Sequence, residues 1–209
     1  MSKEQYPYTF TPSTDGASQK PVLYINKQII KFPGQIIRVF DSHMRLIAKV
    51  HGVPFKLKEK LNIYSDEARK NLIASSEAVK IMDFNAAFIL RAAHKREVLG
   101  GLRRKGFISE IGQDTWLIYD ADGNELAELK EPNLRYSLVR KWLLPFLPQT
   151  YHMTLVNGHD GELIIKQTWT PVILRYRIYS DDFATFTKRV PQKLLVSALC
   201  TIAVIEGRE

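Results

Sequence analysis

A chain of 209 residues with 45% hydrophobic and 25% charged content has the make-up of a globular protein with one sizeable core, and its length demands no second domain. A single cysteine, Cys200, excludes an internal disulfide framework. The net charge of +8 and pI near 9.5 favour anionic partners such as phospholipid headgroups or nucleic acid.

Residues 1–21 are polar and rich in turn formers, with no apolar stretch of the kind a secretory leader needs. They read as a loose tail, and residues 22–209 as one domain in a reducing, cytoplasmic setting. From Val22 the body alternates apolar and polar residues in short runs broken by turn formers, the pattern of antiparallel sheet. Val22 to Phe32 is a strand ended by Pro33-Gly34. Residues 38–50 and 117–129 then repeat one unit of strand, polar turn and strand. Aligned without gaps, Val39 falls on Ile118, Phe40 on Tyr119, Asp41 on Asp120 and Ala48 on Ala127. Residues 88–105 and 151–169 have the same shape, the latter with Asn157-Gly158 and Asp160-Gly161 as turn dipeptides. Residues 172–179 are a last alternating strand. Such a set must close on itself or pair with another layer, because open edges invite aggregation.

Helices are expected at three places. Ser65 with Asp66 and Glu67 has the character of an N-cap and acidic first turn leading into Ala68–Ala74. Asn133 caps a second over 134–144, whose Leu134, Leu138 and Trp142 share a face. The third, 191–206 with Pro191 at its start, is apolar on every side from Leu194 to Ile205, interrupted by Ser197 and Thr201. An all-round apolar helix is either buried or in a membrane. Its 12-residue apolar run falls short of the roughly 20 that cross a bilayer, so it is expected inside protein. In an all-β chain the natural enclosure is a barrel, and such a helix would leave no room for a lipocalin-like ligand cavity. The fold expected is therefore mainly β: a closed antiparallel barrel around a buried C-terminal helix.

The order of segments resembles a known family. VPFKLKEKLNIYSDEA from Val53, MDFNAAF at 82–88, GGLRRKGF at 100–107, DTWLIYDADGNELAELKE at 114–131, LLPFLPQTY at 143–151 and a terminal apolar helix ending IEGRE are similar to the bacterial LURP-one-related and phospholipid-scramblase-like branch of the Tubby C-terminal-like superfamily. The resemblance implies a twelve-stranded antiparallel barrel wrapped around its C-terminal helix. It also implies a link to phosphoinositide binding, to lipid movement between leaflets or to plant defence. Eukaryotic scramblases carry a cysteine-rich palmitoylation region and an acidic calcium segment before the last helix. Here the only cysteine is Cys200, and the segment reads SDDFATFTKRV, so calcium-triggered scrambling is not expected.

No catalytic constellation, cofactor motif or metal motif emerges, and a non-enzymatic protein is expected. Asp120, Asp122, Asn124 and Glu131 match positions 1, 3, 5 and 12 of a calcium loop, but Glu125 stands at the sixth position, where the sharp turn needs glycine. A hairpin turn is the better reading. His43, His51, His94, His152 and His159 show no ligand spacing. The basic clusters carry the functional lead: Lys95 and Arg96 at one turn, then Arg103, Arg104 and Lys105 along the following strand, form a candidate patch for anionic headgroups. Lys56, Lys58 and Lys60 alternate on one strand face, as do Arg175 and Arg177. The expected function is a peripheral module for anionic phospholipid at the inner membrane face. The rival is a protein-interaction scaffold using the hairpin loops and the Trp142–Phe146 segment. Nucleic acid is disfavoured, since no aromatics interleave the basic residues for stacking. If the last helix is buried, Leu199→Asp places an unpaired charge in the core and costs more than about 4 kcal/mol, read as loss of the cooperative thermal transition.

Overall fold

The computed structural model describes residues 20–28, 35–52, 60–79, 87–93, 97–105, 115–130, 149–156, 161–169 and 173–205. These hold twelve strands: β1 (Leu23–Gln28), β2 (Gln35–Asp41), β3 (Leu46–Gly52), β4 (Leu61–Tyr64), β5 (Leu72–Val79), β6 (Ala87–Ala92), β7 (Val98–Lys105), β8 (Thr115–Tyr119), β9 (Glu125–Lys130), β10 (Thr150–Leu155), β11 (Glu162–Trp169) and β12 (Ile173–Tyr179). Two helices follow, α1 (Phe183–Arg189) and α2 (Gln192–Ile205). Each strand pairs antiparallel with its neighbours in sequence, and β1 pairs with β12, so the sheet closes into a barrel. Closure satisfies both edges, and the expected fold class is the one observed.

Four hairpins share one inward device. Val39 pairs with Ala48, Ile63 with Ala74, Leu90 with Gly100 and Ile118 with Ala127. A register shift follows each pair, so that Ile47, Ile73, Leu99 and Leu126 are the extra residues of a bulge. A bulge bends its strand and raises its twist, which helps the sheet curve into a barrel. The small partner of each pair is fully buried or nearly so, leaving space at the wall for a helix within.

Three of the turns are also alike. Asp41, Asp66 and Asp120 open the β2–β3, β4–β5 and β8–β9 turns. Three residues on, Met44, Arg69 and Gly123 have φ of 61°, 58° and 89°. The aspartate carboxylates accept the backbone N–H of Arg45 at 2.9 Å, Lys70 at 3.1 Å and Asn124 at 2.8 Å. These bonds hold the carboxyls below their ordinary range, led by the Arg45 N–H for Asp41, the Asn71 N–H for Asp66 and the Asn124 side-chain amide for Asp120. This corrects the helix expected at Ser65. Asp66 and Glu67 lie in a turn, and Leu72–Val79 is strand β5. The acidic side chain that suits a helix N-cap suits an Asx-type turn equally, and Arg69 in the left-handed region stops any helix. The Asp120 loop is the hairpin turn expected of it. The helix expected over 134–144 lies outside the described residues.

The last segment folds as expected, with α2 buried continuously from Leu194 to Val204. Its interrupting hydroxyls are satisfied within the helix: Ser197 Oγ donates to the Lys193 carbonyl at 2.7 Å and Thr201 Oγ1 to the Ser197 carbonyl at 2.8 Å. Pro191 sits one position earlier than the first helical residue, its carbonyl accepting Leu195 N–H at 2.9 Å. The short α1 was not foreseen. Asp182 caps it, accepting Thr185 N–H at 2.9 Å and Thr185 Oγ1–H at 2.5 Å, so this aspartate is occupied by a cap. Cys200 is fully buried, and burial pushes its thiol up to about 12, which leaves it protonated and unreactive at neutral pH.

At Gly100 the wall lies close against the helix. Its φ is +153°, and a Cβ there would lie 2.2 Å from the Tyr119 carbonyl oxygen and 2.9 Å from Leu194 Cδ1. Gly100→Ala is therefore expected to cost about 2–4 kcal/mol in denaturant unfolding. Gly101→Ala, whose nearest contact would be 3.4 Å, should cost under about 1 kcal/mol.

Candidate functional site

Strand alternation decides where each candidate cation points. On β7, Gly100 and Leu102 are buried in the barrel, so Arg104 shares their inward side while Arg103 and Lys105 face out. Arg104 lies opposite Trp116 in the register, with its guanidinium 5.8 Å from the Trp116 ring centroid. Lys105 reaches Glu128 across β8 at 3.2 Å. The expected cluster of Arg103, Arg104 and Lys105 is thus divided between two faces of the wall. Lys95 and Arg96 lie outside the described residues, as do Lys56 and Lys58.

The cations form two kinds of group. Around β2–β6 they converge on carboxylates: Glu67 holds Arg38 at 2.5 Å together with Lys49, and Glu77 holds Lys60 at 2.9 Å and Arg91 at 3.6 Å. Burial alone would raise the Glu67 carboxyl, but Arg38 and Lys49 outweigh it and hold it below the ordinary glutamate range.

On β11 and β12 the register does the opposite. Lys166 and Arg177 stand directly across from one another, and Arg175 faces out one pleat further along. Like charges at directly opposed positions are unfavourable in a sheet. The Lys166 ammonium rests 5.3 Å from the Tyr179 ring centroid. Across the other edge, Arg177 pairs with Tyr24, whose hydroxyl is raised by burial against an opposing effect of Arg177. Lys166, Arg175 and Arg177 therefore make the outward basic cluster that the fold assembles. Arg175 and Arg177 were visible as an alternation in sequence. Lys166 was not singled out, because only the strand register puts it beside them.

Two interior features complete the description. Lys27 faces inward on β1 and is 1% exposed, its Nζ donating to the Ala203 carbonyl at 2.6 Å. Helix α2 carries no basic residue in its own last turn, so the wall supplies the cation that its C-terminal dipole favours. Secondly, α2 fills the barrel as expected except for a small gap on one side. It packs closest to β2–β7, and on the opposite side leaves an apolar cavity of about 40 Å³. Leu199, Ile202 and Ala203 of the helix face Trp116, Tyr151 and Tyr176 across it, with aliphatic side chains of β1, β9 and β11 between.

Among the described residues, no group of three or more His, Cys, Asp or Glu side chains is placed to hold a metal ion, and no helix is long and apolar enough to cross a membrane. His152 is spent on Glu162, at 2.5 Å. No family model, curated protein or solved structure matches this chain. If Lys27 acts as the C-terminal cap of α2, Lys27→Met keeps the stem but removes the charge, and should lower stability by about 2 kcal/mol in urea unfolding.

Proposed function

We infer that this chain is a non-enzymatic binding module that docks through its basic barrel exterior on anionic phospholipid surfaces, at the cytoplasmic face of a membrane. One observation carries the reading: the outward, directly opposed placement of Lys166 and Arg177, with Arg175 beside them. Two cations opposed across a strand pair repel one another, and a phosphate held between them would relieve that repulsion and accept forked hydrogen bonds from the arginines. Arg103 also faces out on β7, while Lys105 and Lys130 share the single carboxylate of Glu128 and leave one net positive charge between them. The net charge of +8 adds long-range attraction. Placement in the LURP-one-related and scramblase-like branch of the Tubby C-terminal-like superfamily belongs to the same proposal, supported by the segment order and the twelve-stranded closed barrel. Fold by itself carries no function, so the weight rests on the cations.

Co-sedimentation with phosphatidylcholine vesicles, with and without phosphatidylserine or a phosphoinositide, tests this at low and physiological salt. Binding should require the anionic lipid and weaken as salt rises. At about 1 kcal/mol per cation near such a surface, Lys166→Glu/Arg177→Glu should weaken binding at least about thirtyfold. Equal binding to neutral vesicles, or none to either, would overturn the reading and favour a protein-interaction domain.

A further inference from the structure

One row of outward side chains crosses four neighbouring strands. By register Arg175 of β12 stands beside Asn26 of β1, Asn26 beside Arg38 of β2, and Arg38 beside Lys49 of β3. Their chain neighbours Leu174, Ile25, Ile37 and Ala48 are buried in the barrel, so alternation turns all four outward. At about 4.8 Å between strands the row is about 14 Å long. Arg175 lies two residues from Arg177, so the row continues the surface on which Lys166 and Arg177 are opposed.

This row already holds an oxyanion, the protein's own. Glu67, in the turn between β4 and β5, is gripped by both arms of the Arg38 guanidinium, Nε donating to Oε1 at 2.5 Å and Nη2 to Oε2 at 3.4 Å. The Lys49 ammonium donates to the same Oε2. A forked guanidinium with an ammonium beside it takes a phosphate as well as a carboxylate. The Glu67 side chain keeps 29% of its surface in solvent, so an external anion can reach the cations it occupies. Glu67 is also an incomplete match. Among the described residues it is the carboxylate paired with this row, and it brings one negative charge to the three cations Arg38, Lys49 and Arg175. A phosphate monoester brings nearly two charges and three acceptor oxygens at neutral pH. Asn26, between Arg38 and Arg175, offers it an amide donor.

We propose that the row Arg175–Asn26–Arg38–Lys49 is a binding site for a phosphate monoester, and that the Glu67 carboxylate is a built-in competitor which the ligand displaces. The inference rests on the reading of this exterior as an anion-binding face, and adds to it a ligand chemistry and a means of restraint. Displacement need not release the turn. Lys49 also donates to the Glu67 main-chain carbonyl at 2.7 Å, and the Asp66 carboxylate accepts the N–H groups of Lys70 and Asn71.

Calorimetric titration of the full chain with inorganic phosphate, at neutral pH and constant ionic strength, tests the proposal. Glu67→Gln keeps the shape of the side chain and removes the competitor. If Glu67 holds the row in about nine molecules of ten or more, phosphate affinity should rise about tenfold or more in this variant. Glu125→Gln removes the same charge from β9, away from the row, and should change affinity less than about twofold. Arg175→Gln, in a chain that keeps Glu67, should weaken phosphate binding about tenfold, and it decides the matter should Glu67→Gln lose the native circular dichroism. Vesicles of phosphatidylcholine with phosphatidic acid, a monoester headgroup, are compared with vesicles carrying phosphatidylserine at equal charge. A larger gain from Glu67→Gln on phosphatidic acid assigns the ligand to a lipid headgroup, and a gain confined to soluble phosphate assigns it to a small phosphorylated molecule; either supports the site. Unchanged phosphate affinity in folded Glu67→Gln, or an equal gain in Glu125→Gln, would overturn it. The two readings fail separately. Phosphate binding that depends on Glu67 and Arg175 without any vesicle binding would end the membrane reading and leave this site standing. Vesicle binding lost in Lys166→Glu/Arg177→Glu, with phosphate affinity indifferent to Glu67 and Arg175, would do the reverse.

Discussion

The constraint on which this structure depends is a helix that has no polar side. From Leu194 to Val204 every residue of α2 is buried, so each direction around the helix must be met by apolar protein. A single sheet face covers one side of a helix. A sheet closed on itself covers all of them, and it also removes the two edges that twelve strands in a row would otherwise expose. The polar atoms that the helix carries inward are then handled locally. Ser197 and Thr201 donate to carbonyls one turn back, and the C-terminal carbonyl of Ala203 receives the ammonium of a lysine on the wall.

Enclosing a helix sets a size problem that the hairpins solve in a common way. Each of four hairpins sets one bulky inward residue against one small one, Ala48, Ala74, Gly100 or Ala127, and follows the pair with a bulge. The small residues make room for the helix, and the bulges bend the strands around it. These four hairpins occupy the β2–β9 part of the wall, and α2 lies closest to β2–β7. The remaining side of the barrel is lined by larger groups such as Tyr151 and Tyr176, and there the fit is incomplete. The cavity follows from where the small residues stand.

The same alternation governs the exterior. A strand with successive cations cannot present them together, so Arg104 is separated from Arg103 and Lys105 by the pleat. Cations two apart on one strand, or opposed on neighbouring strands, do converge, as Lys166, Arg175 and Arg177 do. The functional content of the basic residues therefore lies in register rather than in number. Cations gathered on Glu67 and Glu77 tie neighbouring strands of the wall together, while Lys166 and Arg177 on β11 and β12 stand opposed by the register.

Much of the fold was legible in sequence because it rests on local pattern. Alternation located the hairpins at 38–50, 88–105, 117–129 and 151–169, and the match of Asp41 and Ala48 to Asp120 and Ala127 marked one structural unit used twice. The all-round apolar run after Pro191 implied both the buried helix and the barrel needed to hold it. The segment at Ser65 misled because an aspartate before a short loop accepts backbone N–H groups in a helix cap and in a hairpin turn alike, and the choice fell to the strand partners of β5 on either side. The candidate site was legible only in part. Which face Arg104 takes, that Lys166 stands opposite Arg177, and that Lys27 caps a helix 176 residues away all depend on long-range pairing, which no local pattern encodes. What the sequence by itself determined was the elements and the need for closure, since both follow from the periodicity of apolar residues. The tertiary structure alone decided which charges meet and where the core is left unfilled, because register and packing are settled between segments far apart in the chain.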